Sequence, residues 1–218
     1  DQLGKNDRHL WLLSLLFPRS AIPRDALIAV SELSERHANH GLRHLVDAAL
    51  LEVQDSERWH YRLEPVCATF LVDLVCREEE FTQEESVVDV LQAGIQVRFR
   101  QLLDVPDAKQ ALHLVSVIVD LGLDMVQHWD IVQDLSLQIV DEGYWAMWSN
   151  VLVRLAGLSL SREQHAWIGR MQGIAQRWLG HLDSARSHLE RTLEAYVEGT
   201  ADYTDCLVEL SVVQRYQG

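Results

Sequence analysis

The chain has 218 residues, 48% of them apolar, with 19 basic and 33 acidic side chains and a formal charge of −14. Four prolines and eleven glycines are too few for a disordered chain or a long flexible linker. The acidic balance argues against broad contact with nucleic acid, since a phosphate backbone is met by a basic surface, but leaves room for one local basic helix.

No run of 18 apolar residues occurs, so no membrane span is expected, and the first residues lack a signal-peptide pattern. Cys67, Cys76 and Cys206 form no CxxC pair. A sparse, odd set of this kind reads as small buried hydrophobes in a reducing, cytoplasmic compartment, not as a disulfide framework. The chain begins at Asp1 and ends at Gly218, where one helix of a pair would turn into the next. It is therefore expected to be a piece of a longer protein.

In chain order, Asp7 to Phe17 reads as a helix with Leu10, Leu13, Leu16 and Phe17 on one face, stopped by Pro18. Ala21-Ile22-Pro23 is a short extended piece, because the residue before proline avoids helical geometry. Arg24 to Leu33 is a second helix. Glu35 to Leu50 is a third, with Ala38, Leu42, Leu45 and Ala49 expected on its buried face and Gly41 as an interruption. Two short strands, Leu51 to Gln54 and Trp59 to Leu63, flank the polar turn Asp55-Ser56-Glu57-Arg58. Pro65 opens another helix, to about Arg77, at the position where a missing N–H costs nothing.

This order spells a winged helix. Leu45-Val46-Asp47-Ala48-Ala49-Leu50-Leu51 and Trp59-His60-Tyr61-Arg62-Leu63-Glu64-Pro65-Val66 add local wording. The first resembles an "LVDxxLL" segment and the second a "RYRLHPLV" segment of the winged helix in STAND signal-transduction ATPases. The resemblance covers about residues 7 to 77. It implies that the winged helix, with Arg36, His40, Arg43 and Glu64 as candidate interface residues, packs on a nucleotide-binding module absent from this chain. Glu64 stands where such segments commonly carry histidine; an acidic side chain there would repel a nucleotide phosphate.

Helical patterns fill the remainder. Thr82-Gln83-Glu84-Glu85 has capping-box form, followed by Leu91, Ile95, Phe99 and Leu102 on one stripe. Asp104 to Asp107 is a turn. Ala108 to Leu121 is apolar nearly all round and is expected between neighbours. Further helices are expected at Met125 to Asp141, Tyr144 to Leu158, Arg162 to Leu179, Leu182 to Tyr196 and Asp202 to Gln217, with a second capping box at Ser161-Arg162-Glu163-Gln164.

Gly143, Gly180 and Gly218 stand 37 and 38 residues apart, each closing one of these patterns. A period of this length points to stacked helix pairs. Residues 166 to 199 resemble a tetratricopeptide repeat: Gly173 at the close-approach position, Leu179-Gly180-His181-Leu182 as the turn, Ala185 as the small residue of the second helix, Leu189 and Leu193 behind it. Trp148 and Ser211 occupy the small positions of the units before and after. The expected fold is mainly α: a winged helix with a small β-hairpin over residues 1 to 80, bridging helices over 81 to 122, and an α-solenoid of tetratricopeptide-like hairpins over 123 to 218.

Chemistry is sparse. The chain holds no GxxxxGK[ST], GxSxG, HExxH or GxGxxG motif, so no catalytic residue and no cofactor is assigned. His37, His40 and His44 share one side of a helix, a spacing that zinc or nickel could use. No cysteine or carboxylate is obviously placed to complete such a site, and a solvated or interfacial helix face is the reading taken. Residues 1 to 80 carry 9 basic and 14 acidic side chains, the wrong sign for a DNA-binding domain. Five tryptophans, Trp129, Trp145, Trp148, Trp167 and Trp178, are expected mostly in the core. In the phase set by Gly173, the inner face of its helix carries Trp167, Arg170, Ile174, Arg177 and Trp178, a groove suited to an acidic or aromatic peptide. The functional expectation is a non-catalytic sensor fragment of a STAND-type ATPase that binds a protein or inducer. The alternatives are a DNA-binding winged-helix regulator and a constitutive repeat scaffold.

Overall fold

The computed structural model describes residues 3–55, 59–76, 86–123 and 125–218. The protein is mainly helical with one small three-stranded sheet, and it divides into two compact units, residues 1–123 and 124–218. Among the described residues no helix is long and apolar enough to cross a membrane.

The first unit opens with α1 (Lys5–Leu13), which tightens into a 3₁₀ turn over Ser14–Leu16 before Pro18. β1 (Ile22–Pro23), α2 (Arg24–Ser31) and α3 (Glu35–Asp47) follow. Then come β2 (Leu51–Asp55), β3 (His60–Leu63) and α4 (Pro65–Cys76). α5 (Val87–Asp104) and α6 (Ala108–Asp120) complete the unit. The sheet is antiparallel in the order β1-β3-β2, with Ile22 opposite Tyr61 and Leu51 opposite Leu63. The extended Ile22-Pro23 piece thus pairs with β3 and widens the expected hairpin. The turn residues 56–58 and the Thr82–Glu85 capping box lie outside the described residues; the N-cap seen for α5 is Ser86, whose Oγ accepts from the Val88 and Asp89 N–H groups.

Helices pack here by removing side chains. At Gly41 a Cβ would lie 2.7 Å from Leu10 Cδ1 and 3.0 Å from Asp7 Oδ1, so glycine lets α3 settle onto α1. The expected interruption is instead an unbroken helix with a seat in it. Gly94 does the same for α5, where a Cβ would stand 2.4 Å from Leu13 Cδ2. α3 ends at Asp47, and Ala49 takes a left-handed φ of 57° and is exposed, which removes it from the expected buried face. Arg98, only 5% exposed, stacks 4.6 Å from the Phe17 ring centroid and donates to Gln101 Oε1. Burial lowers its pKa to about 10. Phe99 is correspondingly turned half out of the stripe that Leu91, Ile95 and Leu102 bury.

The second unit is a succession of five helices: α7 (Met125–Asp141), α8 (Trp145–Ala156), α9 (Arg162–Trp178), α10 (Leu182–Leu193) and α11 (Ala201–Gln217). Each packs against its sequence neighbours: α7 on α8, α8 on α9, α9 on α10, α10 on α11. The α7–α8 and α9–α10 turns close identically. Gly143 N–H donates to Val140 O and Tyr144 N–H to Ile139 O; Gly180 N–H donates to Arg177 O and His181 N–H to Gln176 O. That is the Schellman pattern, with the glycines at φ 79° and 81° where an L side chain is strained. The 37-residue spacing therefore recurs as hydrogen-bond geometry. Ser161 and Gln164 form the expected capping box at the start of α9.

Candidate functional site

A cavity of about 690 Å³ in the second unit opens where α7, α9 and α11 face one another. The sequence sets this up in two steps. First, glycine at 169 and 173 lets α10 lie close on α9: a Cβ at 173 would stand 2.6 Å from Leu189 Cγ, and one at 169 only 2.4 Å from Thr192 Oγ1. Second, a buried cluster of Ala185, Leu189, Cys206, Leu210 and Val213 ties α11 to α10. With its glycine edge against α10, α9 presents Arg170, Ile174, Arg177 and Trp178 to the groove.

Four of the five groove residues read from the sequence therefore meet in one cavity, and Trp167 does not. Trp167 is 9% exposed and packs edge-on to Trp129, at 5.2 Å, and to Trp148, at 6.5 Å. It is a core residue. Trp148, fully buried, stands 37 residues before the small, buried Ala185. Trp178 is 58% exposed and stacks on Trp145 at 5.4 Å with rings 10° from parallel, while the Arg177 guanidinium lies 5.1 Å from its centroid.

The arginines are not open to an acidic ligand. Arg170 Nη1 donates to Asp205 Oδ2 at 2.9 Å, with Asp202 Oδ1 at 3.9 Å, and Arg177 Nη2 lies 3.0 Å from Glu209 Oε2. Both guanidiniums are mostly covered, and all three carboxylates come from α11. They serve to latch α11 onto α9. Asp141 and Glu142 also line the cavity, are exposed, and have no ion pair among the described residues. The groove lining carries four carboxylates against two guanidiniums. Its floor is apolar, with Leu137, Val140, Ile174 and Val208.

Sequence reasoning missed the contributions of α7 and α11. Part of that signal was present: 37 residues before Ile174 and Trp178 stand Leu137 and Asp141, which line the same cavity. On α11, Val208 and Glu209 stand 38 residues after Arg170 and Met171, which also line it.

In the first unit, Arg36, His40 and Arg43 are exposed on α3. Glu64 is half-buried just before α4, 3.6 Å from Arg62 Nη2, which also pairs with Glu52 across the β2–β3 ladder. Among the described residues, Glu64 lines none of the cavities that His40 lines. The three histidines line one cavity with Gly4, Lys5, Asn6 and Asp7, each with its own contacts. His37 Nδ1 meets Ser34 Oγ at 2.9 Å, while His44 Nδ1 lies 3.2 Å from the buried Asp7 carboxylate, with the His40 ring 4.2 Å from that of His44. Among the described residues no group of three or more histidine, cysteine or carboxylate side chains is arranged to hold a metal.

Comparison with protein-family models, with curated proteins and with solved structures finds no match for this chain.

Proposed function

We propose that this chain is a non-catalytic regulatory module: a winged-helix head followed by tetratricopeptide-like hairpins whose groove receives a protein ligand. The STAND resemblance of residues 45–51 and 59–66 supports reading it as the linker and sensor portion of a larger ATPase. The head would pack on the nucleotide module, and ligand in the groove would bias an inactive–active equilibrium. It could do so only by its difference in affinity for the two states. The observation that carries the reading is the α7–α9–α11 cavity, apolar at its floor and charged at its rim, lined by helices from successive hairpins. Stacked hairpins offer such grooves because each unit touches only its neighbours and leaves one edge of its first helix uncovered.

Selection of peptides from a random display library tests this. Peptides enriched on the whole chain are expected to lose binding to the Ile174→Gln/Val208→Gln variant, which makes the exposed floor polar without adding charge. Peptides that bind both forms equally, or a selection that enriches none, would refute the groove as the ligand site.

A further inference from the structure

We infer that the groove of the second unit takes a basic amphipathic peptide segment of a protein partner. The inference rests on the proposed peptide-binding role of this cavity and specifies its chemistry. Three observations lead there. The two guanidiniums are consumed internally, by Asp205 and Glu209, so they offer no open charge to a carboxylate. Asp141 and Glu142, at the C-terminal end of α7, stand exposed at the mouth, where the negative end of the helix dipole adds to their charge. Between them and the latch lies exposed apolar surface: Leu137 is 65% exposed and Val208 55%.

An apolar strip rimmed by uncompensated carboxylates is complementary to a segment with apolar residues at helical spacing and lysine or arginine beside them. A cationic head group reaches Asp141 and Glu142, and its alkyl stem lies along Val140 and Leu137. A neutral apolar segment would leave the two carboxylates without a partner. An acidic one would meet four carboxylates with only latched arginines to offset them. The cavity's volume, about 690 Å³, accommodates several side chains and not a whole folded surface, which suits a peptide segment.

The test uses the full chain and two labelled amphipathic peptides of equal length and apolar pattern, one with lysine and one with glutamate at the polar positions. Fluorescence anisotropy is read at low and at raised salt. The lysine probe is expected to bind at least about tenfold tighter than the glutamate probe, and more weakly as salt screens the rim. Asp141→Asn/Glu142→Gln, both at exposed positions, is expected to weaken the lysine probe by about tenfold while leaving the circular dichroism unchanged. Two results would overturn the inference while leaving the groove itself in place: equal or tighter binding of the glutamate probe, or binding of the lysine probe that ignores the double substitution. Binding of neither probe would also overturn it, and the display selection then judges the groove separately.

Discussion

His113 is a partly exposed imidazole within α6, its Nε2–H donating to the Leu15 carbonyl at 2.9 Å. Burial holds its pKa below the usual histidine value, and the Arg19 and Arg98 charges push the same way, against the carbonyl bonds that favour protonation. The sign follows directly. The native state takes up its proton at lower pH than the unfolded chain, so stability is full above about pH 6.5 and is lost as pH falls toward the depressed native value. Urea unfolding of wild type and His113→Gln at a series of pH values checks this. The stability advantage of wild type is expected to shrink steadily from pH 7.5 to pH 5, and an advantage independent of pH would contradict the assignment. Cys206 illustrates the same physics without a functional consequence: burial pushes its thiol up to about 11, and its Sγ–H points at the Leu189 carbonyl. It is a core residue, as the scattered cysteines suggested.

Between residues, helix spacing is governed by which side chains are missing. Gly173→Ala replaces the poorest ordinary helix former with the best, worth about 1 kcal/mol by propensity. The new methyl, however, meets Leu189 Cγ at 2.6 Å and the Ala185 carbonyl at 3.3 Å, and a branch carbon cannot swing aside as a chain end can. The clash wins, and a net loss of about 1–2 kcal/mol is expected in urea unfolding followed by tryptophan fluorescence. Gly157→Ala is the control. It sits at a helix end with φ −83° and meets only the Arg154 carbonyl at 3.3 Å, so it should be neutral or slightly stabilising. Equal effects at the two positions would show that close approach is not what Gly173 serves.

These elements were largely readable beforehand. α7 and α11 have close to the bounds that periodicity gave, and Gly143 and Gly180 close their turns because only glycine is cheap at φ near 80°. The misreadings share a cause: local pattern does not report what lies across the helix. Gly41 looks like a break until α1 is seen resting on it, and Trp167 looks like a groove residue until Trp129 and Trp148 are seen against it. Arg170 and Arg177 line the cavity on the face of α9 that the phase of Gly173 indicates. Their partners on α11 were not legible, since ion pairs between helices some 30 residues apart leave no short-range signal.

At the scale of the whole molecule, the chain forms two compact units. The first assembles α1, α2, α3, α5 and a three-stranded sheet around Leu10, Leu13, Phe17, Leu42 and Leu63. The second is a nearest-neighbour stack in which α11 buries Cys206, Leu210 and Val213 on one side and leaves Leu207, Val208 and Tyr216 exposed on the other. The account depends on the groove beside that exposed side being where a partner is met. Hydrogen exchange of the full chain, read by mass spectrometry with and without the lysine probe, tests this most directly. Slowed exchange confined to about residues 137–145, 170–178 and 202–209 is the predicted result. Protection centred on α3, or no protection in the second unit at saturating probe, would contradict it.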